Sequence, residues 1–205
     1  IVGCGFENMK EYAALVCKVK AMGGDFIKIM TTGIMDFATD GSVTETALKK
    51  EEVREMVHIA HEEGLAVMSH TNGIYGVQAA VEAGVDSVEH GNYIDPETII
   101  ELADSDSVWV PTLVTIRNLR GCGRYKESVL DPIIELAAKN LRLAYKYRAK
   151  VALGSDAGAY MVLHGKGLMD EYQAFMDILG ESGDVRAWLA DGEKRIQDTF
   201  RRPES

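Results

Sequence analysis

The sequence predicts an α/β fold in which a parallel sheet is covered by helices. Three observations carry that reading. Five short apolar or β-branched runs alternate with segments of helical periodicity, glycines bound the runs, and ionisable residues gather where the runs end. Buried parallel strands read as short, continuous apolar runs, and strand–helix alternation is how such a sheet is built.

Composition sets the outer limits. At 205 residues and 46% hydrophobic, the chain can bury a substantial core. A net charge of -10 and a pI near 5.0 argue against nucleic acid and anionic membrane surfaces, which call for concentrated Lys and Arg. A small molecule is therefore the expected partner. No apolar run approaches the roughly 20 residues that span a bilayer. The start IVGCGFENMK lacks a basic region followed by an apolar signal core, so a cytoplasmic location is expected. Cys4, Cys17 and Cys122 are odd in number and lack CxxC spacing, so free thiols are expected rather than disulfides or a zinc knuckle. The chain opens on Ile1-Val2-Gly3 without an initiator methionine, which reads as part of a longer protein.

In order along the chain, Asn8 is placed to cap a helix with Tyr12, Leu15, Val16 and Val19 on its apolar face, ended by Gly23-Gly24. Phe26-Ile27-Lys28-Ile29-Met30 follows as a strand with one anomaly, the cation Lys28. An ammonium in a buried strand must lose its charge, find a partner or be modified, and an edge strand facing solvent is the ordinary alternative. A long polar loop, Thr31 to Thr44, suits a substrate cover. Lys49 to Glu63 is a strong amphipathic helix through Val53, Met56, Val57 and Ala60, closed by Gly64. His58 and His61 on it are read as part of a solvated, charged face.

Leu65-Ala66-Val67-Met68 then leads into His70, and Asp86-Ser87-Val88-Glu89 into His90, with a helix from Tyr75 to Glu82 between them. If these strands are neighbours, both imidazoles lie at the carboxyl edge, where catalytic groups of α/β folds collect. Asp95-Pro96 starts the next helix with a capping carboxylate and a first-turn proline. Val108 to Val114 is a strand that Pro111 bends or frays, and Asp131-Pro132 opens the longest helix, to about Lys150. Val151-Ala152-Leu153 is a fifth strand running into Gly154-Ser155-Asp156. From Leu168 the chain reads as helix, broken near Gly180 to Gly183 and again at Gly192, with a basic end at Lys194, Arg195, Arg201 and Arg202. Five such units are the second half of an eight-stranded barrel, not a closed one.

Lys28, His70, His90 and Asp156, in that order at strand ends, form a far more specific signal than any one of them. Two neutral imidazoles and a carboxylate are good zinc ligands. The lysine joins them only after carbon dioxide converts it to a carbamate, whose two oxygens can bridge two metals.

On FIKIM, AVMSH, SVEHG and LGSDAG the chain resembles the amidohydrolase superfamily, in the branch of imidazolonepropionase-like proteins and Xaa-Pro dipeptidases. The resemblance covers roughly residues 7 to 170. It implies strands 4 to 8 of a (β/α)8 TIM-type barrel, with the N-terminal strands and the branch's β-sandwich domain absent. Residues 1–170 would form the partial metal-hydrolase barrel and 171–205 a C-terminal helical segment. It further implies two divalent metals, zinc by expectation: carbamylated Lys28 bridges them, His70 and His90 hold one, and Asp156 binds the other and handles the proton of the attacking water. His164, in an HG-type loop, is a weaker candidate for substrate contact. Tyr93, Arg117, Arg120 and Tyr160 are substrate-binding candidates by position only. One departure is plain: the His-x-His pair of the family's first strand does not occur in this sequence.

The implied activity is hydrolysis of an amide bond, in a dipeptide or N-acyl amino acid, by a metal-activated water. The alternatives are a cyclic amide such as an imidazolone ring as substrate, or a non-catalytic half-barrel. A half-barrel would expose two sheet edges, which favour self-association into a homo-oligomer.

Overall fold

The structure is a computed structural model that describes residues 3–37 and 42–201. Residues 38–41 of the predicted Thr31–Thr44 loop, the opening Ile1-Val2 and the terminal Arg202 lie outside the described residues.

Local chemistry accounts for the first elements. Asn8 accepts from the Glu11 amide at 3.0 Å and opens α1 (Met9–Ala21), which buries Tyr12 and Val16. Strand β1 (Phe26–Met30) buries Ile27 and Ile29 and leaves Phe26, Lys28 and Met30 exposed. Helix α2 (Lys50–Glu62) turns Val53, Met56, Val57 and Ala60 inward. Strand β2 (Ala66–Thr71) is followed by α3 (Ile74–Ala83), which ends on Gly84 in the left-handed conformation that favours glycine. Strand β3 (Ser87–His90) is buried throughout, and α4 (Pro96–Asp104) is capped by Asp95, which accepts from the Thr98 amide at 2.9 Å.

The sheet has the order β1-β2-β3-β4, with β4 at Val108–Val110 and every pair parallel. One face, carrying Ile27, Ile29, Val67, Val88 and Trp109, packs into the main core with the helices. The register puts Lys28 beside Met68, His70 beside Glu89, and Glu89 beside Val110 on the opposite, inner face.

Four expectations are corrected. The strand from Val108 ends at Val110, because Pro111 has no N–H for the ladder and Thr112 adopts φ +49°. Residues 114–117 are instead the short helix α5 (Val114–Arg117). The predicted fifth strand is reduced to one parallel bridge, Val151 to Trp109, flanked by Trp109 N to Lys150 O at 2.8 Å and Ala152 N to Trp109 O at 3.0 Å. The longest helix, α6 (Glu127–Lys146), starts and stops one turn earlier than Asp131 and Lys150. Pro132 lies inside it, and the neighbouring Leu130 and Ile133 pack with Ile116 and Leu119.

The fourth correction concerns Gly192. The C-terminal region forms α7 (Lys166–Leu179) and α8 (Gly183–Phe200), and α8 runs unbroken through Gly192. A Cβ there would lie 1.8 Å from the Val151 carbonyl oxygen, so this glycine serves helix–strand contact rather than helix ending. Helix α7 crosses the boundary expected between residues 170 and 171, and Ala174, Phe175, Val185 and Trp188 belong to the main core. Helix α8 then crosses the inner face: Ile196 packs on Val108, Val110 and Ala152, and Phe200 meets Phe26 edge-on at 5.4 Å.

Candidate metal centre

Register and one unusual backbone angle build the site. His70 lies on the inner face of β2, two residues beyond Met68, which is level with Lys28. His90 is out of phase with it by strand alternation, since Thr71 is its register partner. A φ of +71° at His90 ends β3 and turns the chain, and the two rings meet with centroids 4.7 Å apart.

The surroundings hold each ring. His70 Nε2 lies 3.3 Å from the Gly33 carbonyl and 3.4 Å from Asn72 Nδ2. Asn72 is itself fixed, its Oδ1 accepting from the Asn92 side chain at 2.9 Å and its backbone N–H donating to Thr32 Oγ1 at 3.0 Å. His90 Nδ1 lies 2.6 Å from Thr112 Oγ1, and the His90 carbonyl accepts from Trp109 Nε1 at 2.9 Å.

Electrostatics keep both rings neutral. Burial lowers the pKa of His70, assisted by the positive charge of Lys28 and opposed by the Gly33 hydrogen bond and Asp156. Burial, with His70 and Lys28 adding to it, brings His90 down to about 3. Neutral imidazoles have the lone pairs a metal needs.

The other predicted residues divide by location. Lys28 is exposed on the inner face of edge strand β1, and its charge reaches His70 and His90. Asp156 is exposed beyond Val151, with φ +51°, and its charge reaches His70. His164 is exposed, its Nε2 3.6 Å from where a Cβ on Gly158 would stand, two residues from Asp156. The remaining candidates lie elsewhere: Tyr93 packs in a satellite cluster with Ile116 and Leu130, and Arg117 pairs with Asp177 at 2.8 Å. Arg120 pairs with Asp131, and Tyr160 stacks under the Arg124 guanidinium at 5.0 Å. On α2, His58 is exposed, whereas His61 bonds Asp86 at 2.8 Å across to the start of β3.

Sequence reasoning missed Glu89. It shares the inner face with His70, is 7% exposed, and accepts from Ser87 Oγ at 2.6 Å. Burial raises its pKa, the Ser87 bond and Lys28 opposing. The signal was available: Glu89 is a charged residue inside a buried strand, the same anomaly that singled out Lys28.

Among the described residues, no group of three His, Cys, Asp or Glu is gathered closely enough to hold a metal. His70 and His90 are two donors of the kind a divalent metal takes, short of the three or more that a protein site supplies. Asp156 alone does not make a second site.

An α/β protein with a neutral histidine pair at the carboxyl edge of a parallel sheet is the class defined by this fold and site. Residues 7–184 match the amidohydrolase family, and the chain belongs to that family. An uncharacterized protein of Mycobacterium tuberculosis is 27% identical over 200 residues, covering 89% of this chain and 52% of that protein. The ochratoxinase of Aspergillus niger is 29% identical over 158 residues, covering 75% and 33%. Its crystal structure superposes with a TM-score of 0.77 at 22% identity, over 94% of this chain and 44% of that one. A Xaa-Pro dipeptidase structure with bound methionine gives 0.69 at 23% identity, over 92% and 49%. At these identities the structural likeness shows the fold alone. The chain spans about half the length of the mycobacterial relative and less of the ochratoxinase.

Proposed function

We propose that this chain carries part of the active site of a metal-dependent amide hydrolase whose substrate is a dipeptide or N-acyl amino acid. The supporting observation is the contact of two neutral imidazoles, His70 and His90, within electrostatic reach of both Lys28 and Asp156. Membership of the amidohydrolase family and the likeness to a Xaa-Pro dipeptidase and an ochratoxinase agree with it. In this reading β1 to β4 and the Val151 segment are strands 4 to 8 of a (β/α)8 barrel.

His70 and His90 would hold one divalent ion, zinc in this proposal, with Lys28 as the further ligand once carbamylated. Such an ion, when bound, supplies Lewis acidity and brings the pKa of water to about 7. The chain's own residues do the rest. Asp156 takes the proton of the attacking water and returns it to the leaving nitrogen. The exposed loop that bears Asp156 also presents His164 for substrate contact. Gly33 and Asn72 hold the His70 ring through Nε2, and Thr112 holds the His90 ring through Nδ1, leaving one nitrogen of each ring without a protein partner.

A panel of dipeptides, N-acyl amino acids and cyclic amides, assayed with zinc and bicarbonate, tests the proposal. Turnover of the first two classes, abolished by Asp156→Asn with substrate binding retained, is expected. Turnover confined to cyclic amides would move the substrate class. Undiminished turnover in Asp156→Asn would remove its role.

A further inference from the structure

Thr112 is a β-branched residue with φ +49°, a conformation such residues rarely adopt without being held there. Hydrogen bonds at and just after it hold it there. Its carbonyl accepts from Thr115 Oγ1 at 2.8 Å, while the next two amides, Leu113 and Val114, donate to Glu171 Oε1 and Oε2, each at 2.9 Å. Glu171 lies on α7, is fully buried, and has no part in the reaction outlined above. A carboxylate in such a place is costly unless its oxygens are satisfied, and here both are used on one pair of consecutive amides.

The far end of this arrangement is His90. Thr112 Oγ1 stands 2.6 Å from His90 Nδ1, and the hydroxyl is buried with it. Which ring nitrogen carries the proton decides which one is left bare.

We propose that Glu171 is a positioning residue for His90: by gripping the Leu113 and Val114 amides it fixes Thr112, whose Oγ1 accepts from His90 Nδ1–H and leaves Nε2 bare for a metal. The last step rests on the proposed function; the tautomer does not. The physical logic is that of an outer hydrogen bond orienting a ligating imidazole, a kind of contact whose loss typically costs about 10- to 100-fold in metal affinity.

Long-range 1H–15N NMR of the 205-residue chain in metal-free buffer at pH 7.5 reads the tautomer directly. The expected result is a protonated Nδ1 in the wild type, a mixture of tautomers in Glu171→Gln and Thr112→Val, and recovery in Thr112→Ser. Glu171→Gln puts an amide NH2 against one of the two backbone N–H groups; Thr112→Val keeps the shape and removes only the hydroxyl, so one variant remains informative if the other fails to fold. A wild-type His90 protonated on Nε2, or a tautomer unchanged in folded Thr112→Val and Glu171→Gln, overturns the proposal. Titration with Co2+ in the presence of bicarbonate, followed by its visible spectrum, separates the two claims. About 10- to 100-fold weaker binding in the variants is expected. A wild type that takes up no Co2+ while the tautomer behaves as described would sink the metal reading and spare the positioning of His90.

Discussion

Burial disfavours the charged form of both His90 and Glu171, lowering one pKa and raising the other, so the two groups shape the acid and neutral arms of stability differently. His90 has a folded pKa of about 3 against an ordinary 6.5. Between those values the unfolded chain binds a proton that the folded chain refuses, so this contribution is full above about pH 6.5 and falls away toward 3. Glu171 is pushed by burial from 4.5 to about 7, its two backbone hydrogen bonds opposing. Its contribution is full below 4.5 and is lost as pH rises through 7. Urea unfolding of the wild type and Glu171→Gln at pH 4.5 and 7.5 isolates this group. The wild type's advantage should shrink at the higher pH; a constant difference would show that Glu171 does not titrate as described. Little of this was legible beforehand. Thr112 and Glu171 lie 59 positions apart, and nothing local in either marks the other. The same distance defeats the positional case for Arg117, whose guanidinium meets Asp177 across 60 positions.

At the scale of elements, α8 depends on one missing side chain. Gly192 brings the helix backbone onto Val151, where both sides of the contact are main chain and neither can yield cheaply. Gly192→Ala should destabilise the chain by roughly 1–3 kcal/mol in urea unfolding, the usual cost of forcing an atom into a packed contact. An unchanged midpoint would mean that α8 sits elsewhere. Here the sequence was ambiguous in a definite way, since a glycine inside a helical pattern marks either an end or a close approach, and only the packing partner decides. Strand β2 was plain because the apolar run Leu65 to Met68 leads straight to His70, and β3 because Ser87-Val88-Glu89 is a short run between Gly84 and Gly91 that likewise ends in a histidine. The Val108 strand was read too long because Val114 is apolar, yet that residue packs from a helix.

For the whole molecule, the order β1 to β4, the Val151 bridge and the crossing of α8 decide what the inner face can do. Helix α8 covers that face at β4 and reaches β1 through Phe200 and Phe26, leaving Lys28, His70 and His90 toward the carboxyl end. A chain ending at Glu181 would uncover Val108, Val110 and Ala152. It should bind an apolar dye and lose cooperative unfolding; retention of the full-length midpoint would deny α8 this role. No helix among the described residues is long and apolar enough to cross a membrane. The meeting of His70 and His90 at the carboxyl edge was the most legible contact of the molecule, because each histidine ends a short strand-like run. The unequal closeness of Lys28 and Asp156 to them was not, since it follows from register, the turn at His90 and the exposure of Asp156.

Zinc bound per chain, measured by elemental analysis after loading with zinc and bicarbonate, bears most directly on the proposed centre. About one zinc per chain is expected for a site of His70, His90 and carbamylated Lys28, falling to none in His70→Ala and His90→Ala. No zinc in the wild type, or zinc unchanged in both histidine variants, would contradict it.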